Sequence, residues 1–387
     1  MKNVSLSYNE RRFIELIFRQ KSISRSEISE QLELTGSSAT RIAARLMEIG
    51  LIEDEVERLG AMGQPRRPIA IAPGKVFSAG INFALNTIDV AIIDLSGKVV
   101  SVRREGLKRS SPEAAAECAN QLLERMLGEA RISKDDVIGA GISVPANFSD
   151  HHGTVLPNAL FSEYDNVDLD AVFGKIMGLE MTIENDGACA ALGEYYFAEG
   201  HRHEIFFLYH LGHGFNGGVM LNGRLYRGAH GNSCVTGVLF PYGEPRPTGT
   251  DLVNELAKHG MVLDDVADLA NVPADAEPVV SAWIERAAGQ LEQAVRIATG
   301  FFDPNVIVIG GRLPSDLMQR LTARIAWKTL PGPSRGLKVA PVMASKLGAD
   351  GGAVGAACVP FFARYFPGSI ENGHNNYSNG RRSSAGE

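Results

Sequence analysis

Cysteine is scarce in this chain: four in 387 residues, Cys118, Cys189, Cys234 and Cys358, none closely spaced. That excludes a thiolate metal quartet and a disulfide framework, and fits reduced thiols in a cytoplasmic protein. Long hydrophobic runs are missing too, since none approaches the ~20 residues that span a bilayer. The opening Met-Lys-Asn-Val-Ser-Leu-Ser does not read as a secretory signal, so neither membrane nor export is expected. Net positive charge is lacking: the formal charge is −7, which argues against a general nucleic-acid binder. The acidity is uneven, however. Residues 1–70 hold 11 basic and 10 acidic residues, leaving 27 basic and 35 acidic for the rest. A near-neutral module on an acidic body is the distribution expected of a DNA-reading head attached to a ligand-binding domain.

The first 73 residues carry the pattern of such a head. Phe13, Ile14, Leu16, Ile17 and Phe18 supply one apolar stripe for a helix over 9–19. Ser24 with Glu27 forms a capping box for a second helix, Arg25 to Leu32. Thr35 caps a third, Ser37 to Ile49, whose inner face is Ala39, Ile42, Ala43 and Leu46. The segment from Leu51 to Ile71 reads as a two-stranded wing with a basic tip at Gly60–Pro68. This is a winged helix-turn-helix. Its candidate DNA contacts are Thr35, Ser37, Ser38, Thr40, Arg41 and Arg45 around the third helix, with Arg66 and Arg67 in the wing. Arg41 is placed to read a guanine, and the wing arginines to meet phosphate or the minor groove. A helical protein-interaction module is the alternative for the same pattern.

From Phe77 the pattern becomes α/β, and 42 glycines punctuate the chain. Strands around 79–83, 89–94 and 99–101, a helix over 111–127 and a buried strand at 137–145 give the order of one half of an actin-like ATPase. A second set follows: a strand at 204–210, a glycine turn from Gly212 to Gly218, a helix over 282–299 and a strand at 305–311. Two lobes with a cleft between them are expected: 76–183, completed by about 352–366, and 184–351. The tail 367–387, rich in Gly, Ser and Asn, is expected to be disordered. At a strand-to-helix corner stands Glu184-Asn185-Asp186. A carboxylate there suits vicinal hydroxyls, although a plain helix cap is the alternative for Asp186.

Three segments together resemble the ROK family (repressor, open reading frame, kinase), and the likeness runs from about residue 8 to 366. They are Glu184-Asn185-Asp186 with Ala190-Ala191-Leu192-Gly193-Glu194, then Asn222 to Gly231, then Asp303 to Gly311. The winged head, which the family's sugar kinases lack, places the chain beside its xylose-repressor-like and N-acetylglucosamine-repressor-like regulators. The resemblance implies a ribonuclease H-like body with Asn158, Asn185 and Asp186 as the effector-binding residues. It also shows departures. The kinases' Asp-x-Gly-Gly-Thr phosphate turn is replaced by Asn82 to Asn86, so no catalytic residue is expected. The family's Glu-x-Gly-His element is replaced by Val235-Thr236-Gly237-Val238, and its zinc loop by Pro241 to Thr250, so no metal and no cofactor are expected.

The reading is a repressor of double-stranded operator DNA, controlled by a carbohydrate effector, working as a homodimer or dimer of dimers. Its head is expected to be remote from the effector cleft. An active sugar kinase with a regulatory head is the rival reading, and a ligand-blind DNA-binding protein a third.

Overall fold

The structure is a computed structural model and describes residues 5–55, 68–107, 111–149, 155–157, 159–198, 200–325 and 336–367. The head begins with α1 (Tyr8–Gln20), whose N-cap Ser7 and Glu10 form a reciprocal capping box. α2 (Arg25–Gln31) has the expected box of Ser24 and Glu27, and α3 (Gly36–Glu48) the expected cap, Thr35. The wing is β1 (Ile52–Asp54) paired antiparallel with β2 (Ile69–Ile71). Residues 60–67 of the expected wing tip, Arg66 and Arg67 among them, lie outside the described residues, as do Asn158 and the tail from 368.

The first body sheet contains β3 (Phe77–Phe83), β4 (Thr87–Asp94) and β5 (Lys98–Gly106) as an antiparallel meander. After α4 (Pro112–Ala130), β6 (Val137–Val144) joins β3 in parallel. A small ribbon follows, β7 (Ala146–Phe148) with β8 (Val155–Pro157). α5 (Leu169–Met177) then leads to β9 (Met181–Asn185), parallel to β6, so the sheet order is β5-β4-β3-β6-β9.

α6 (Asp186–Phe197) leads into a second sheet of the same design. Here β10 (Ile205–Leu211), β11 (Phe215–Leu221) and β12 (Arg224–Leu225) form the meander. After α7 (Gly249–Lys258) and α8 (Glu277–Phe302), β13 (Val306–Gly311) pairs parallel with β10. α9 (Ser315–Arg324) and β14 (Val342–Ala344) complete the order β12-β11-β10-β13-β14. The chain closes with α10 (Gly351–Tyr365). The expected repeat is therefore present as two sheets of like order.

α6 and α10 stand between the sheets, α10 against β3 and β6, α6 against β10 and β11, and each against the other. Their small residues permit this. A Cβ at Gly355 would lie 1.6 Å from the Cys189 carbonyl oxygen, so the two helices meet backbone to backbone. On β10, Phe206 and Leu208 face this central layer, while Phe207, Tyr209 and Leu211 face the outer layer with Trp283 and Leu291. The two-residue period of a strand buries both sets.

The head packs directly against the body. Its core residues Phe13, Ile14, Ile17, Ile42 and Leu46 belong to the same apolar cluster as α6 and α10. Phe18 of α1 packs on Tyr196 and Phe366, with ring centroids 5.3 and 5.1 Å apart. Arg19 donates to the carbonyl of Asn222 in the β11–β12 turn, and Tyr196 donates to the neighbouring Gly223 carbonyl at 2.5 Å.

Candidate functional site

Two surfaces carry the candidate residues. On the head, Ala39, Ile42, Ala43 and Leu46 are buried, and Ser37, Thr40 and Arg41 are exposed. Thr35 Oγ1 accepts from the Ser38 amide and Thr40 donates to the Gly36 carbonyl, so these hydroxyls also serve the helix. Arg45 is committed elsewhere: its guanidinium pairs with the buried Glu10 at 2.7 Å and donates to the Ser5 carbonyl. Arg41 has no carboxylate partner among the described residues.

The second surface is a cavity of about 470 Å³ between the two sheets' ends, a volume suited to a small molecule. It is built around the start of α6. Asn185, at the end of β9, is the N-cap: its Oδ1 accepts from the Gly187 and Ala188 amides at 2.9 and 3.4 Å. Its Nδ2 donates to the Ala146 carbonyl at 2.8 Å. Asp186 is therefore not the cap but the first helical residue. Its Oδ1 accepts from the Gly187 amide at 2.8 Å and from Asn216 Nδ2 at 2.7 Å. Asn216 also donates to Asn185 Oδ1, which ties β11 to this corner. A Cβ at Gly187 would come 2.4 Å from the Gly217 carbonyl oxygen, so glycine is required for helix and strand to approach this closely.

Of the expected effector residues, Asn185 and Asp186 come together on the cavity wall, and Asn158 lies outside the described residues. The structure adds His210, Asn216, Arg246 and Arg312, which the sequence reading missed. The signal for His210 was a lone polar residue in the apolar strand 205–211. Its imidazole is buried, and among the described residues its Nδ1 has no hydrogen-bond partner. Burial holds its pKa below the ordinary value; Asp186 pulls the other way, and Arg312 and His213 add to the lowering.

The turn from Asn82 is occupied by a network across the two lobes. Asn82 Oδ1 accepts from the Ser143 hydroxyl at 2.7 Å, and its Nδ2 donates to Asp89 at 3.1 Å. Asp89, fully buried, pairs with Arg104 and with Arg312, each at 2.5 Å. Burial alone would raise the Asp89 carboxyl, but the two guanidinium groups outweigh it and hold it below the usual range. A second tie joins the lobes, with Asp265 accepting from Asn86 at 3.1 Å and facing His213 Nε2 at 3.3 Å.

The loop from Val235 to Arg246 also lines the cavity. Burial pushes the nearby Cys234 thiol up to about 11, so it is a neutral thiol at pH 7. Among the described residues no three His, Cys, Asp or Glu side chains gather to hold a metal ion. Nor is any described helix long and apolar enough to cross a membrane.

A winged head on a two-lobed, actin-like α/β body with a cavity between its sheets defines the class. The chain belongs to the ROK family, whose model matches residues 78–240. It is 44% identical to the uncharacterized protein y4fQ of Sinorhizobium fredii over 97% of this chain and 96% of that one. It is 26% identical to the xylose repressor of Bacillus subtilis over 59% of each chain. Among solved structures, a ROK family transcriptional regulator, a homologue of the E. coli MLC protein, matches 92% of this chain and 96% of its own. That match has a TM-score of 0.67 and 21% identity. A ROK glucokinase from Streptomyces griseus, solved with glucose and AMPPNP, matches 73% of this chain and 98% of its own, at TM-score 0.56 and 20% identity.

Proposed function

We propose that this chain is a cytoplasmic repressor. It binds double-stranded operator DNA through α3 and the wing, and a small carbohydrate in the interlobe cavity sets its DNA affinity. The head is residues 1–73, the first lobe 76–183 with 352–366, and the second lobe 184–351. The working unit is a homodimer or dimer of dimers, because one head reads too few base pairs to be specific. The relatives named as repressors support this reading.

The observation that carries it is the course of β11. Near one end Asn216 holds Asn185 and Asp186 at the cavity; just past the other, Arg19 of the head holds the Asn222 carbonyl. A ligand that favours one position of β11 thereby favours one position of the head. That differential is what linkage requires. Asp186 also favours the kinase reading, but the Asn82 turn opposes it. Both ends of the Asn82 carboxamide are engaged by Ser143 and Asp89, and the turn lacks the metal-organising carboxylate and glycines that phosphoryl transfer needs.

The test is to map bound genomic sites, then titrate operator complexes with the sugars whose genes adjoin them. Arg19→Ala is expected to keep operator binding and lose the sugar response. Sugar phosphorylation that disappears in Asp186→Asn would overturn the reading.

A further inference from the structure

The cavity lining carries two chemically different groups. The corner of Asn185, Asp186 and Asn216 offers acceptors and amides for hydroxyl groups. Another part of its lining offers Arg246. Among the described residues the Arg246 side chain has no carboxylate partner, and its Nε is buried without any hydrogen bond. The residue is not a loose surface arginine. Its amide donates to Asp251 Oδ1 at 3.0 Å, its carbonyl accepts from the Thr248 amide at 2.9 Å, and Gln290 holds the Pro245 carbonyl at 2.6 Å. The guanidinium lies over the Tyr242 ring, 4.8 Å from its centroid. Stacking occupies a face and leaves the N–H edge to bond.

The neighbouring charges are already used. Arg312, the other guanidinium on the wall, is engaged by Asp89 and Thr87. His213 faces Asp265, and Asp251 is taken by Arg286 and Trp283. Among the described lining residues Asp186 is the single carboxylate. One unspent guanidinium therefore stands in a partly desolvated cavity, where a planar carboxylate satisfies its fork.

We infer that the ligand of this cavity is a sugar acid, a polyol whose hydroxyls meet the Asp186 corner and whose carboxylate is held by Arg246. The inference rests on the proposed carbohydrate effector and names its class. A single guanidinium matches one negative charge, so a carboxylate fits better than a phosphate dianion. Arg246 would then select the acid over its neutral parent sugar.

The test is calorimetric titration of the full chain with matched pairs: glucose against glucuronate and gluconate, galactose against galacturonate, xylose against xylonate. Glucose 6-phosphate serves as the phosphate arm. In at least one pair the acid should bind about ten- to a hundredfold tighter than its neutral partner, as for hydrogen bonds to a charged group. Arg246→Gln should abolish that ratio and Arg246→Lys keep part of it, with circular dichroism confirming that both fold. Equal binding of acid and neutral sugar in every pair overturns the inference and leaves a neutral effector. An acid preference that survives Arg246→Gln, or a stronger preference for the phosphate ester, overturns it as well. If no member of the panel binds, the inference and the carbohydrate effector both fall.

Discussion

Asp186 and Asn185 are neighbours with separable duties, and replacing each with alanine separates them. Asp186→Ala removes a carboxylate from the first turn of α6, worth about 0.3–1 kcal/mol against the helix dipole. It also removes one of two acceptors of Asn216, but Asn185 Oδ1 remains 2.8 Å from the same amide nitrogen. The stability cost is therefore about 1–2 kcal/mol. Asn185→Ala removes the cap itself, about 1 kcal/mol, and strands the Ala146 carbonyl that its amide satisfied. A buried acceptor left unpaired adds about 1–3 kcal/mol, so the sum is roughly 2–4 kcal/mol. For a polyol at the cavity the order reverses. A charged acceptor contributes about 1.5–3 kcal/mol, so Asp186→Ala should weaken binding by about one to two orders of magnitude. Thermal unfolding measures the first pair of values, and calorimetry with the tightest-binding sugar or sugar acid the second. If Asp186→Ala costs more stability than Asn185→Ala, Asp186 is mainly a structural residue. If it binds within about twofold of the parent protein, the hydroxyl corner is misplaced.

The remaining predictions concern the head and the ties between the lobes. Arg41→Ala should lower operator affinity by about 1–3 kcal/mol and relax sequence preference at one position; an unchanged preference in fluorescence anisotropy would show that α3 does not read bases. Asp89→Ala leaves the buried Arg312 unpaired and should cost about 3–5 kcal/mol, whereas Glu129→Ala, opposite the exposed Arg103, should cost under about 1 kcal/mol. Equal shifts of the two in urea unfolding would refute that ordering. Asp265 is held at about 2 against an ordinary 3.8: burial works to raise it, but His213, the Ala267 amide and Asn86 outweigh that. Its folded-state pKa is depressed, so its stabilisation is present above the ordinary value and is lost as pH falls from 3.8 toward 2. Asp265→Asn should remove this part of the acid-unfolding curve, and an identical curve for both proteins would count against the tie.

Much of the fold was legible from short-range patterns. Ser24 with Glu27, Thr35 before α3, and the inner face Ala39, Ile42, Ala43 and Leu46 all act within one or two helical turns. Chain position alone reveals such spacing. The two β-rich repeats were visible for the same reason. The docking of the head was not, because Phe18, Arg19, Tyr196 and Asn222 are far apart in sequence.

The cavity shows the same division. That Asn185 and Asp186 stand at a strand-to-helix corner followed from the residues themselves. Which of the pair caps the helix was settled by the hydrogen bonds of Asn185. Whether an arginine is spent or free is likewise a tertiary matter. Arg312 meets Asp89 across 223 residues, Arg45 meets Glu10 across 35, and Arg246 meets no carboxylate among the described residues. Composition states how many charges a chain has, and local pattern states which segments become helix or strand. Pairing depends on which charges the packed sheets bring within a few ångströms, because attraction and desolvation both act at that range.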